Sequence, residues 1–302
     1  MNIKYPLLLD GGLSNELEAQ GCDLNHRLWS ARLLETNPEA IFQAHLAYLK
    51  AGAQCIITSS YQASMPGLLA NGYNRDTAET LILKTVQLAE QAVQYFMETD
   101  LSGHKPLIAA SIGPYGACLA DGSEYTGDYG VSDDELKEFH LSRIQLLDDS
   151  NADFFACETI PSLQEAKVLG EILQDTQKQG WVSFSCKDEM HLNDGSSIKE
   201  GVEILKGHSN IFAIGVNCTA PQYISGLIRA IKGSIDDKKI VVYANSGEAY
   251  NAETKTWSNV AEPDSFVNMT KEWLELGADI IGGCCRIGPN HIRQLQNQLI
   301  DG

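Results

Sequence analysis

Ala278-Asp279-Ile280-Ile281-Gly282-Gly283-Cys284-Cys285-Arg286 is the stretch from which the fold of this chain is read. Ala278 to Ile281 read as the end of a buried strand. Two glycines follow, then two adjacent cysteines where strand should give way to loop. Neighbouring strand side chains face opposite ways, so both thiols can aim at one object only where the strand has ended. Gly282 and Gly283 are expected to supply that break through backbone conformations other residues avoid. Two converging thiols could hold a soft metal, close a strained disulfide, or lie buried as small apolar groups.

Working outward, the same unit recurs: a short apolar run, then a longer segment with helical spacing. Strands are predicted at 5–9, 54–58, 106–112, 153–156, 181–185, 211–216, 239–243 and 278–281. Helices follow at 75–99, 133–150, 163–178, 198–206, 221–232, 263–276 and 289–299. The first helix should start at Pro38 with Asn37 as cap and close at Gly52. Ser132 with Glu135, and Ser162 with Glu165, have capping-box spacing. Eight such units predict a single (β/α)8 TIM barrel spanning 1–302 as one domain, with its active site at the C-terminal face of the strands. A doubly wound sheet is the runner-up, but Asp10-Gly11-Gly12-Leu13-Ser14-Asn15 lacks the G-x-G-x-x-G turn such sheets carry. The stretch 119–130 is long and turn-rich, as binding loops are.

The bulk composition narrows the function. A net charge of −18 argues against nucleic acid or an anionic membrane surface as partner. No apolar run approaches the roughly 20 residues that span a bilayer, and the first apolar run is too short for a secretory signal. A cytoplasmic location is therefore expected, with the eight cysteines as thiols.

In a barrel the strand ends converge, so listing them predicts a site. They carry Asp10, the 58–62 turn, the 113–115 turn, Cys157 with Glu158, Cys186, Asn217 with Cys218, Asn245, and the Cys284-Cys285 pair. Cys218, Cys284 and Cys285 end strands six and eight, two apart around the ring, and could meet across the mouth. Three thiolates with one open position match a catalytic zinc site; the other reading is three core cysteines. Cys157 and Cys186 are expected to pack inward in the barrel, and Cys22, Cys55 and Cys118 to be structural. Zinc bearing three thiolates is a poor Lewis acid for water but suits a fourth sulfur held as thiolate. That chemistry favours alkyl transfer to a thiol.

Leu9-Asp10-Gly11-Gly12, Ser111-Ile112-Gly113-Pro114-Tyr115-Gly116, Glu158-Thr159, Gly215-Val216-Asn217-Cys218, Asn245-Ser246-Gly247-Glu248 and Gly282-Gly283-Cys284-Cys285-Arg286 together resemble the homocysteine S-methyltransferase family, in the right order and across the whole chain. The resemblance implies that Cys218, Cys284 and Cys285 hold Zn2+ and that the sulfur of homocysteine completes the tetrahedron, giving methionine. It implies that Glu158 binds the substrate ammonium, and that Asp10, Gly11, Gly12 and Asn217 help to fix the amino acid. Asn245 matches a position that can take the vacant metal site, with Tyr61 a weaker candidate. Asp10 as a turn cap and Asn245 as a loop tie are the competing structural readings. Ala244 departs from the family, which often has proline there.

Family members use betaine, a folate delivered through a cobalamin module, or a sulfonium. The compact form and the Asp121-Gly122-Ser123-Glu124-Tyr125 loop resemble the users of S-methylmethionine, with S-adenosylmethionine as a poorer donor and betaine as the alternative. Tyr115, Tyr125 and Tyr129, with Tyr61, are candidates for an aromatic wall against a cationic donor, or else pack the loop. The expected mechanism is in-line displacement by the zinc-bound homocysteine thiolate, with no catalytic residue beyond the metal centre. A zinc hydrolase or aldolase would place histidines at strand ends, and none of the seven falls there. A non-catalytic amino-acid-binding barrel is the remaining class.

Overall fold

The computed structural model describes residues 3–99, 104–235, 237–247, 249–251, 256–258 and 263–300. Eight parallel strands form its centre: β1 (Leu7–Leu8), β2 (Cys55–Ile57), β3 (Leu107–Ile112), β4 (Phe154–Ile160), β5 (Gly180–Phe184), β6 (Ile211–Asn217), β7 (Lys239–Ala244) and β8 (Ile280–Gly283). Their order is β1-β8-β7-β6-β5-β4-β3-β2. The ring closes between β1 and β2, where the Gln54 N–H donates to Leu8 O at 2.8 Å and the Asp10 N–H to Cys55 O at 3.1 Å. Helices follow the strands, as in a (β/α)8 barrel.

The two-residue period of a strand sorts side chains into two cores. Leu9, Ala109, Phe154, Ala156, Trp181 and Val241 fill the barrel. Their neighbours, such as Ile112, Phe155, Val182 and Val242, pack under the helices. On β4 this alternation sends Phe154, Ala156 and then Glu158 inward, so the last inward residue of an otherwise apolar series is a carboxylate.

Several elements match the expected bounds: the helices Arg75–Thr99, Pro221–Lys232 and Pro263–Leu276 do so at both ends. The Ser132 capping box forms, with the Glu135 N–H on Ser132 Oγ and the Ser132 N–H on Glu135 Oε2. Gly52 closes the Pro38–Lys50 helix with φ of +104°, and its N–H donates to Leu49 O. Gly52 needs that left-handed conformation, which carries no Cβ penalty in glycine.

Other expectations are corrected. Asn37 precedes the Pro38–Lys50 helix but makes no side-chain cap bond. Ser162 Oγ accepts the Glu165 N–H, yet the Glu165 carboxylate does not return to the cap, because buried partners elsewhere claim it. β4 runs on through Cys157, Glu158 and Thr159 to Ile160 rather than stopping at 156. The helix after it ends at Gln174, short of 178. The final helix is α-helical only over Pro289–Leu295, and a π turn follows at Gln296–Ile300. Cys157 and Cys186 lie under the helices rather than inside the barrel, whereas Cys55 faces the interior. A short antiparallel pair, Ala249–Asn251 with Thr256–Ser258, and the helices Leu13–Ala19 and Met65–Ala70 were not anticipated. Glu248 of the Asn-Ser-Gly-Glu motif lies outside the described residues.

The largest correction concerns Gly282 and Gly283. Both are strand residues, paired with Tyr243 and Ala244, and neither has positive φ. They are glycines for want of space. A Cβ on Gly282 would lie 2.6 Å from Leu9 Cβ, and one on Gly283 would lie 2.1 Å from Ile287 Cγ2. The conformational release occurs elsewhere, at Thr159, Cys218 and Arg286, with φ of 62°, 47° and 68°. Such values are unfavourable for residues with a Cβ, and here all three fall at strand ends around one mouth. Among the described residues no helix is long and apolar enough to cross a membrane.

Candidate active site

At the C-terminal ends of β6 and β8 the Sγ atoms of Cys218, Cys284 and Cys285 all lie within 4.8 Å of one another. Cys218 Sγ and Cys285 Sγ are 3.7 Å apart across 67 positions of sequence. All eight cysteines are free thiols. Asn217 points into the barrel, so a continued strand would send Cys218 outward; its left-handed φ turns the thiol toward the mouth instead. The other pair is held by a tight turn in which Cys284 N–H donates to Ala244 O and Ile287 N–H to Cys284 O, with Arg286 left-handed between them. Arg286 Nη1 also lies 3.6 Å from Glu18 Oε2. Hydrogen bonds from Cys218 and Cys284 hold the Cys285 thiol well below the usual range.

The donor set and its spacing fit a zinc ion. With Zn–S bonds of about 2.3 Å, the edge of a tetrahedron is about 3.8 Å, close to the observed sulfur separation. Asn245 is half-buried after β7, and its Oδ1 is buried with no hydrogen-bond partner. Beside the thiols, an oxygen without a protein partner is available to a ligand.

Below the sulfurs lies a polar layer made by the last inward residue of several strands. Ser111 on β3 donates a short hydrogen bond to Glu158 Oε1. Tyr243 on β7 also bonds Glu158, lies 2.7 Å from Ser183 Oγ, and accepts from Trp181 Nε1 at 3.1 Å. Burial pushes the Glu158 carboxyl up to about 7, against the pull of the Ser111 and Tyr243 hydrogen bonds. Asn217 Oδ1 accepts from the Thr159 N–H at 2.7 Å and from Ser183 Oγ at 2.8 Å, and its Nδ2 donates to Thr159 Oγ1 at 2.8 Å. The Asn217 side chain thereby holds Thr159 in its left-handed turn and sets the end of β4.

Asp10 is 3% exposed. Its Oδ2 accepts the Ile57 N–H at 2.9 Å, and desolvation raises its carboxyl well above the usual range. One oxygen of Asp10 therefore serves the β1–β2 junction. Gly11 and Gly12 let their turn lie against the cysteine turn: a Cβ on Gly11 would meet Ile287 O at 2.2 Å, and one on Gly12 would meet Cys284 O at 2.6 Å. Tyr48 locks the two together, its hydroxyl 2.8 Å from Gly12 O and 3.1 Å from Ile287 O.

The four tyrosines divide. Tyr125 reaches the cluster, its hydroxyl 3.8 Å from Cys218 Sγ. Tyr61 is half-buried beside it, where desolvation of its hydroxyl, then Cys218, Glu124 and Glu158, raise its phenol. Tyr115 and Tyr129 instead face each other at 5.3 Å, and Tyr115 packs on Phe139. The Tyr129 hydroxyl donates to Glu165 Oε2. These two hold the loop in place. Sequence reasoning missed Tyr243, Ser183 and Ser111, although strand alternation from Val241 and Trp181 would have found the first two. It also missed Trp29, which has φ of 44° and meets Tyr61 edge-on at 6.2 Å, and for which no local signal existed.

The chain is similar to known proteins along nearly its whole length. A model of the family described as homocysteine S-methyltransferase matches residues 7–299. The chain is 47% identical to homocysteine S-methyltransferase YbgG of Bacillus subtilis, over 96% of this chain and 94% of the relative. It is 42% identical to a selenocysteine Se-methyltransferase of Brassica oleracea, over 97% and 88% of the two chains. The crystal structure of the homocysteine methyltransferase MmuM from Escherichia coli in its metallated form superposes with a TM-score of 0.87 at 39% identity, covering 97% of this chain and 96% of that one.

Proposed function

Because the chain belongs to the homocysteine S-methyltransferase family, we propose that it transfers a methyl group from a sulfonium donor, S-methylmethionine foremost, to the sulfur of L-homocysteine. The observation that carries this reading is the cluster of three thiols within 4.8 Å at the barrel mouth. Cys218, Cys284 and Cys285 would hold Zn2+, with Asn245 Oδ1 as a resting ligand. Bound there, zinc would supply a thiolate from the homocysteine thiol at neutral pH.

The remaining work falls to the protein. Glu158, ionised, receives the homocysteine ammonium from inside the barrel, and Asp10 with its Gly-Gly turn shapes the wall beside it. Tyr125 and Tyr61 present polarised faces and hydroxyls to a cationic donor. The new carbon–sulfur bond forms at homocysteine as the methyl–sulfonium bond breaks, and its electron pair stays on the departing sulfur. The donor leaves as a neutral thioether, so no general acid is needed. Holding both sulfurs and the methyl carbon in line is the chief contribution of the fold.

The test is methionine formation from homocysteine with S-methylmethionine, S-adenosylmethionine and betaine, alongside metal content, in the wild type and in Cys284→Ala. The expected result is turnover with S-methylmethionine above the other two, and loss of both zinc and turnover in the variant. A betaine signal exceeding the sulfonium signals would reassign the donor. Full activity in Cys284→Ala would remove the metal from the reaction.

A further inference from the structure

Glu124 is a charged side chain that the proposed chemistry leaves unused. It sits in the 3₁₀ turn Ser123–Tyr125, one residue before the tyrosine whose hydroxyl meets Cys218. Its Oε2 is buried and has no hydrogen-bond partner, while the carboxyl otherwise draws only on the backbone N–H groups of Gly122 and its own residue. A buried carboxylate oxygen without a partner is costly to keep, and this one is placed to accept from a partner that arrives from outside.

The turn is fastened in this position. Asp121 Oδ1 accepts the Ser123 N–H at 2.9 Å, and the N–H groups of Thr126 and Gly127 both donate to Ser123 O at 3.0 Å. Gly116 has no side chain because the Glu124 backbone nitrogen lies 2.4 Å from where its Cβ would be. Glu124 therefore has a fixed place, near enough to the mouth that its charge is felt by Tyr61, Tyr125 and Cys218. It is not part of the 4.8 Å cluster that the three sulfurs form, so it lies outside the set that would hold a metal.

We propose that Glu124 is the donor-selecting residue: its free Oε2 accepts hydrogen bonds from the primary α-ammonium of a sulfonium amino acid. The inference rests on the methyl-transfer reading. It gives the site two carboxylates for two amino acids, buried Glu158 for the ammonium of homocysteine and half-buried Glu124 for that of the donor. A quaternary ammonium such as betaine has no N–H to offer, so the same oxygen would remain unsatisfied with that donor bound. Sites built to hydrogen-bond a substrate N–H discriminate strongly against analogues that lack it.

The experiment compares wild type and Glu124→Gln with S-methylmethionine and with its analogue lacking the amino group, measured by turnover or by competition against S-methylmethionine. In the wild type the amino group should improve donor use about 30-fold, the worth of a charge-assisted hydrogen bond of about 2 kcal/mol. In Glu124→Gln that preference should collapse toward unity, mostly through the donor KM, with homocysteine KM and zinc content unchanged. Equal losses for both donors would assign Glu124 a purely structural role and overturn the inference. So would a wild type indifferent to the amino group. A wild type that makes no methionine from S-methylmethionine would instead overturn the donor reading and the inference with it.

Discussion

Glu158 and Glu165 sit seven positions apart in one βα unit, and both are buried, yet the protein treats them in opposite ways. Glu165 is fully enclosed and well supplied: its oxygens meet the Tyr115 N–H at 2.6 Å, His140 Nε2 at 2.8 Å and the Tyr129 hydroxyl at 3.1 Å. It ties the loop after β3 to the helix Asp133–Asp148. Glu158 opens toward the mouth and has only Ser111 and Tyr243, so burial outweighs its hydrogen bonds and its carboxyl rises to about 7. A carboxylate whose lone pairs are met from within belongs to the architecture. One left short of partners is held ready for a ligand.

Replacing Glu165 by Ala should give the largest change. It strips partners from His140, Tyr129 and the Tyr115 N–H at once, and losses of this kind run to about 3 kcal/mol. The thermal midpoint should drop by several degrees in a melting experiment, while the metal content of the folded protein stays that of wild type. A variant as stable as wild type would erase the distinction between the two glutamates.

Glu158→Gln should reverse the pattern. The swap removes a desolvated charge, so stability should hold or rise. Use of homocysteine should fall about 30-fold, the loss of a charge-assisted contact of about 2 kcal/mol. Steady-state kinetics with homocysteine varied would show it, and an unchanged KM would remove Glu158 from the substrate site.

The smallest and most diagnostic effect is on pH. Because the folded carboxyl titrates near 7, above its ordinary 4.5, the stability it allows is fully present below about 4.5 and declines as pH rises through 7. Ammonium binding has the opposite sign, since it needs the ionised form and weakens as pH falls below 7. The ratio of homocysteine KM between wild type and Glu158→Gln, followed from pH 6 to 8, should therefore shift through neutrality. A flat ratio would place the Glu158 titration elsewhere.

Most of the barrel was legible in the chain because strand and helix periods are local signals. The long helix at Arg75–Thr99 and the run at Pro221–Lys232 carry their own starts, stops and faces. The three cysteines were legible too, once eight strands had been counted, because a barrel sends every strand end to one rim. What failed was local in appearance and tertiary in cause. Ser162 and Glu165 have the spacing of a capping box, but His140, Tyr129 and the Tyr115 N–H outcompete the cap for the carboxylate. Gly282 and Gly283 read as a break in the strand, yet they are strand residues cleared for Leu9 and Ile287.

The sequence by itself determined the order of elements, the thiol set and the motifs that place this chain in its family, since each depends on residue type and spacing alone. Only the tertiary structure decided which face each functional group sees. The left-handed turns at Thr159, Cys218 and Arg286 and the shared polar layer of Ser111, Ser183 and Tyr243 depend on contacts between strands and loops far apart in the chain. Charge and hydrogen-bond supply are properties of a neighbourhood, and the neighbourhood exists only once the barrel has closed.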